Sequence, residues 1–338
     1  MVRALLLTLL ALGSMGVGYY LRGLKKPYLP VQESYEIRAE TGNLTNPLLD
    51  CEVAGYRRGR ELRLFKPQIE ALVEKLIARH DAARISVYFR DLDNGPFFGI
   101  REEETFTGAS LLKVPTVMAA LLQAEESPGF LAQTVRFEGY ADENSPGQFV
   151  PEQKLERGQI YTVDELIRRT ASFSDNASVG MLNKIVAAKS IDRVYRELGV
   201  LLPSSGQPGA RSIAPLGYGR LFRVLYNASY LSRPFSERAL GYFAQSTFHD
   251  GLEAGIAPGI TVSHKFGIYA IPGLTQSAQL HDCGIVYRPG RPYFLCVMTE
   301  GRDVDILAAA IREISREVFL TVDAQTPLLP GPGAQPAR

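Results

Sequence analysis

Ser110 and Lys113 stand three positions apart in the stretch Thr107-Gly108-Ala109-Ser110-Leu111-Leu112-Lys113-Val114-Pro115. Residues i and i+3 of a helix share a face, so hydroxyl and amine would lie side by side where the apolar run Val117, Met118, Leu121, Leu122 begins. An alcohol becomes a nucleophile at neutral pH only when a base takes its proton. A lysine serves as that base when burial or a neighbouring cation disfavours its ammonium form. A capping serine followed by a solvated lysine has the same pattern, so the pair needs partners elsewhere in the chain. Two further stretches supply suitable groups. Ser174-Asp175-Asn176 offers a hydroxyl and a carboxamide, and His264-Lys265-Phe266-Gly267 offers a second cation and a glycine. Each alone also reads as an ordinary turn, helix cap or strand.

The elements that must position these groups follow from periodicity. In 66–80 the residues Ile69, Leu72, Val73, Leu76 and Ile77 recur at helical spacing. Ile85, Val87 and Phe89 alternate as a strand, Asp93-Asn94-Gly95 supplies a turn, and 97–100 resumes a strand ahead of the Ser110 helix. Residues 137–158 are polar and turn-rich, which predicts an exposed loop. Thr162-Val163-Asp164-Glu165 starts a helix, and Val179, Leu182 and Ile185 carry another beyond Ser174. Residues 201–215 read as a loop, and 216–229 and 237–247 as helices. A strand carries Lys265, and 279–287 with 292–298 form a hairpin around Arg288-Pro289-Gly290-Arg291. The helix 303–318 closes the domain through Ile306, Leu307, Ala310, Ile311 and Ile314. The sum is an α+β fold: an antiparallel sheet packed by the N- and C-terminal helices, an all-helical half, and an active site in the cleft between.

The totals narrow the function classes. The chain has 338 residues, 46% of them hydrophobic, enough for a large core, and a net charge of +1 gives no pull toward nucleic acid. The 3 cysteines form no zinc-type cluster and the 4 histidines (His80, His249, His264, His281) no ligand pair, so no metal and no cofactor is expected. Residues 1–24, apolar between Arg3 and Lys25, suit a signal peptide or membrane anchor, with 25–63 as a linker, 64–322 as the domain and 323–338 as a disordered tail. The domain is expected outside the cytoplasm, held at the membrane or secreted, as a monomer.

Ser110-x-x-Lys113, Ser174-Asp175-Asn176 and Lys265-x-Gly267, in this order, resemble the motif set of class A β-lactamases and penicillin-binding proteins. The resemblance covers roughly 66–320 and implies a β-lactamase/transpeptidase-like fold. It implies that Ser110 attacks the acyl carbon of a β-lactam or D-Ala-D-Ala peptide, with Lys113 accepting the proton and Ser174 relaying one to the leaving nitrogen. Asn176 would hold Lys113 and the substrate amide, Lys265 would face the substrate carboxylate, and the Ser110 and Ile268 N–H groups would form the oxyanion hole beside Gly267.

The chain departs from the pattern in two places. Phe266 stands where the family carries a hydroxyl, and a phenyl ring cannot donate to a carboxylate. The family's class A enzymes also carry a loop glutamate that activates water for deacylation. Here no Asp or Glu occurs between Glu197 and Glu237, a span that includes the 201–215 loop. The expected activity is therefore an exported serine hydrolase that is acylated and slow to release, like a penicillin-binding D,D-peptidase. A working β-lactamase with an unconventional base and a non-catalytic cell-wall-binding domain are the alternatives. Cys283 and Cys296 lie symmetrically about the hairpin turn, so they would face each other as a disulfide or, more simply, as two buried thiols.

Overall fold

The computed structural model describes residues 35–38, 43–52, 60–92, 97–139, 151, 153–200, 212–270 and 278–326. The chain divides into two compact units, 1–35 with 52–56 and 36–51 with 57–338, and the described residues fall almost wholly in the second. The expected signal or anchor segment, 1–24, lies outside the described residues. Among those that are described, no helix is long and apolar enough to cross a membrane.

The frame is a five-stranded antiparallel sheet built from β3 (Arg84–Asp91), β4 (Phe97–Ile100), β9 (Val262–Tyr269), β10 (Ala278–Val286) and β11 (Tyr293–Gly301). Their order is β4-β3-β11-β10-β9, so the strands from the two ends of the domain pair with each other and β9 forms one edge. Strand side chains alternate between faces, and the two cores divide accordingly. Ile85, Val87, Phe89, Leu280, Leu295 and Val297 point to the back, where they meet α1 (Arg60–Ala78) through Phe65, Ile69, Val73 and Leu76. There they also meet α8 (Val304–Gln325) through Leu307, Ile311, Ile314 and Val318. Tyr88, Cys283, Ile285, Phe294, Cys296 and Met298 point to the front and join the core of the helical half.

At the centre of that half lies α2 (Lys113–Glu126), which is buried on nearly every side from Val114 to Leu121. A helix apolar all round must be enclosed, and here α3 (Val163–Ser172), α4 (Asn176–Ile185), α5 (Ala188–Glu197) and α7 (Arg233–Phe243) surround it. The remaining helix, α6 (Pro215–Tyr226), packs on the front of the sheet. Short two-stranded sheets join β1 (Tyr35–Arg38) to β2 (Leu48–Glu52), β5 (Phe106–Thr107) to β8 (Ser212–Ile213), and β6 (Thr134–Arg136) to β7 (Ile160–Thr162). Thr162 caps α3 by accepting from Glu165 N, and Asp303 caps α8 by accepting from Asp305 and Ile306 N.

Two expected boundaries shift for identifiable reasons. Residues 44–46 are no free linker: Leu44 N and Thr45 N donate to the Glu237 carboxylate, Tyr287 OH donates to Leu44 O, and Asn46 N donates to Tyr226 O. Residues 323–325 continue α8 instead of starting a tail, because Arg288 binds Asp323 Oδ1 at 2.9 Å and Arg291 binds Gln325 Oε1 at 3.2 Å. The rest of the expected tail, from 327, lies outside the described residues, as does most of the 137–158 loop.

Candidate active site

Ser110 sits on a 3-10 turn, Ala109–Leu112, that feeds directly into α2. Ala109 enters that turn with φ of 44°, left-handed backbone that a non-glycine residue adopts at a cost of about 1–3 kcal/mol. The turn rests against the edge strand β9. A Cβ added at Gly267 would come within 3.2 Å of both Ser110 N and Leu111 N, so glycine is what lets the strand reach the nucleophile's backbone. Ile268 follows Gly267 opposite Leu280 in the sheet, and its side chain packs on the core behind.

Lys113 begins α2 and is only 6% exposed. Its Nζ donates to Asn176 Oδ1 at 2.6 Å, to Ser174 Oγ at 3.2 Å and to the Ser174 carbonyl. Ser174 can present hydroxyl and carbonyl together because its φ is 54°, a second left-handed residue at the site. Asp175 then caps α4, accepting from Ala177 N at 3.0 Å and from Ser178 Oγ at 2.5 Å, which fixes where Asn176 begins the helix. The sequence shows the Ser-Asp-Asn triplet; the structure shows that its aspartate is the strut and its neighbours are the functional groups.

Lys265 on β9 is fully buried, with Nζ 3.0 Å from the Phe266 carbonyl and 4.2 Å from the Phe266 ring centroid. Burial, and next the charge of Lys113, hold its amine well below the usual lysine range, while Asp282 opposes them. The charge of Lys113 thus acts on Lys265, whereas the sequence reading expects Lys265 to act on Lys113. Lys113 itself is ringed by oxygen acceptors. Phe266 stacks on Phe248 at 4.4 Å and belongs to the core behind the sheet. The position that carries a hydroxyl in the family is here part of the packing.

Several groups at the site have no signature in the sequence. Tyr218 OH donates to Leu111 O at 3.3 Å and Tyr195 OH to Leu112 O at 3.2 Å, tying down the Ser110 turn from α6 and α5. Two side chains of β10, Gln279 and His281, bind the main chain of Thr107 at the other end. Asp282, buried behind β9, accepts from Leu252 N at 2.8 Å and pairs with His264 Nδ1 at 2.7 Å. Alternation along the hairpin could have placed Gln279 and His281 on the cleft face, since they share it with Cys283.

Cys283 and Cys296 are opposite each other in the β10–β11 register and form a disulfide, not the pair of thiols that was the simpler expectation. Cys283 is also the cross-strand neighbour of Lys265, so the bridge lies in the sheet row that carries the buried amine. The loop acid expected to be missing falls in a segment of which 201–211 lie outside the described residues. The bounding carboxylates are engaged elsewhere: Glu197 accepts from Arg193 and Tyr230, and Glu237 from the 44–45 main chain. No group of His, Cys, Asp and Glu suited to a metal occurs among the described residues.

Comparison with known proteins agrees with this fold. The chain is 25% identical over 201 residues to beta-lactamase FAR-1 of Nocardia farcinica, a match covering 55% of this chain and 62% of that relative. The chain thus spans less than two thirds of its relative's length. Among solved structures it resembles PBP-A with a TM-score of 0.62 and 21% identity, over 76% of this chain and 96% of that one. It resembles a class A beta-lactamase from Mycobacterium abscessus with a TM-score of 0.64 and 22% identity, over 75% and 99%. These likenesses establish the α+β β-lactamase/transpeptidase-like fold. The model of the beta-lactamase enzyme family matches residues 65–322, which hold the serine, both lysines and the closing hairpin, and the chain belongs to that family of β-lactamase-like serine hydrolases.

Proposed function

We propose that the protein forms an acyl-enzyme on Ser110 with β-lactams or D-Ala-D-Ala-type peptides and releases it slowly. The observation that carries this reading is the buried Lys113, held by Ser174 and Asn176 at the start of the helix that follows the Ser110 turn. Lys113 lies within electrostatic reach of the buried Lys265, and a second cation nearby disfavours placing a proton on either amine. Ser110 Oγ bonds to the acyl carbon as its proton passes to Lys113. The developing oxyanion is met by the Ser110 and Ile268 N–H groups; losing one such donor typically costs about 2.7–4 kcal/mol of barrier. As the carbon–nitrogen bond breaks, Ser174 Oγ hands a proton to the leaving nitrogen and is resupplied by Lys113, to which it is bonded.

Slow release rests on the sequence between Glu197 and Glu237, which has no acid, and on the structural engagement of both bounding carboxylates. A solved relative, a single-residue mutant of PBP-A, is an acyl-enzyme complex with penicillin G, matching with a TM-score of 0.63 and 22% identity. Labelling with a fluorescent penicillin tests the reading: wild type takes the label and Ser110→Ala does not. Nitrocefin then separates the two enzymatic outcomes, a burst equal to the enzyme concentration for slow release and sustained turnover for a β-lactamase with another base. Export of the domain as a monomer, at the membrane or secreted, is the accompanying expectation; recovery of the native protein in the cytosolic fraction would exclude the first part.

A further inference from the structure

Thr107 lies three residues before Ser110, and both of its main-chain polar groups are taken by side chains of β10. Its N–H donates to Gln279 Oε1 at 2.9 Å, and its carbonyl lies 3.0 Å from His281 Nε2. His281 is wholly buried and is the cross-strand neighbour of Gly267, the residue against which the Ser110 turn rests. Its other nitrogen, Nδ1, accepts from Thr299 N at 3.3 Å. A carbonyl only accepts, so Nε2 carries a proton and donates it to Thr107 O. Gln279 is fixed in turn, its Nε2 donating to Glu300 Oε2 at 3.1 Å.

We propose that His281 and Gln279 are positioning residues for acylation, setting the distance between the Ser110 turn and the Gly267–Ile268 strand and so the spacing of the two oxyanion N–H groups. Neither touches substrate; they act by holding Thr107. The proposal rests on the acyl-enzyme reading for its kinetic arm only.

Charged groups packed around His281 are Arg84 on β3, whose guanidinium lies over the Phe106 ring, Glu300 on β11 and Glu104 beside Ser86. Burial, together with Arg84, lowers the imidazole to about 4. Protonation would put a second N–H against the Thr299 donor and cost that contact, while the bond from Nε2 to Thr107 O would persist. Two substitutions separate position from packing. His281→Asn keeps an acceptor for Thr299 N and loses the Thr107 contact; His281→Gln reaches Thr107 O with its amide nitrogen.

The test measures, for wild type and both variants, the nitrocefin acylation rate at saturation, the dissociation constant of the prior complex, the melting temperature, and amide exchange of residues 107–113 without ligand. His281→Asn is expected to slow acylation on the order of 10- to 100-fold with the dissociation constant unchanged, and to speed exchange of the 107–113 segment. His281→Gln is expected to restore both. Wild-type acylation and exchange in His281→Asn would overturn the proposal, as would losses in both variants that merely follow melting temperature. If wild type itself is not acylated, the reading of function falls. Exchange of 107–113 then decides the positioning claim alone, and an unchanged rate in His281→Asn refutes it.

Discussion

At the Lys113 end of the Ser110 turn the contacts handle charge: an amine, two oxygens of Ser174 in left-handed backbone and the Asn176 carboxamide, with Lys265 nearby. At the Thr107 end they are neutral: a carboxamide, an uncharged imidazole, and a glycine pressed against main chain. The first set must change its protonation during the reaction, whereas the second must not move at all. That division explains why the reactive end is built from short recurring motifs and the supporting end from side chains scattered along one strand. Lysine chemistry needs particular residues, whereas any side chain with a donor and an acceptor in the right place can hold a peptide group.

Substitutions at the two ends should therefore fail differently. Lys113→Met removes the proton acceptor and should lower the acylation rate roughly 10²- to 10⁴-fold, read by stopped-flow with nitrocefin. Asn176→Ala removes one of the acceptors that hold the buried Lys113 amine. A fall of about 10- to 100-fold, the kinetic equivalent of a charge-assisted hydrogen bond, is expected in the same assay. Wild-type rates in either variant would mean that the charged end is structural. Gly267→Ala must push the Ser110 turn away, because its Cβ would meet Ser110 N at 3.2 Å. A loss of about tenfold in acylation with little change in melting temperature is the expected outcome.

How much of this was readable from residue types differs between the ends. Ser110, Lys113, Ser174, Asn176, Lys265 and Gly267 are marked by order and spacing, and the structure sets Lys113 against Ser174 and Asn176, within electrostatic reach of Lys265, and Gly267 against the Ser110 main chain. The fold was readable too, because alternation in 85–89 and 279–298 and helical spacing in 69–77 and 306–314 each report a single buried face. Thr107's partners were not readable, since a hydrogen bond from residue 281 to residue 107 depends on strand register and leaves no periodic trace. Segment 44–46 was hidden for the same reason: its partners Glu237, Tyr226 and Tyr287 are distant in sequence, and composition alone reads it as linker. The cysteine pair was placed correctly by hairpin symmetry, but symmetry cannot tell a bond from two buried thiols.

The remaining predictions concern stability. Reduction of Cys283–Cys296, which closes a loop with sequence separation 13, should cost about 3 kcal/mol on the chain-entropy view, measured as a lower melting temperature under a dithiol. An unchanged melting temperature with both cysteines shown to be free thiols would count against the bridge. His281 takes its proton near pH 6.5 in the unfolded chain and near pH 4 in the fold, so the unfolded state binds more protons between those values. Stability should fall as pH drops through that window, by roughly 3 kcal/mol in all, and His281→Gln should remove this part of the acid sensitivity.

Acylation and release at Ser110 can be read together by intact-mass spectrometry after incubation with penicillin G. A mass increase equal to one whole penicillin, placed on Ser110 by peptide mapping, persisting after removal of free drug and absent in Ser110→Ala, is the predicted result. No adduct at any time in a protein that also leaves penicillin intact would contradict the assignment of Ser110 as nucleophile, and rapid loss of the adduct with hydrolysed drug would contradict slow release.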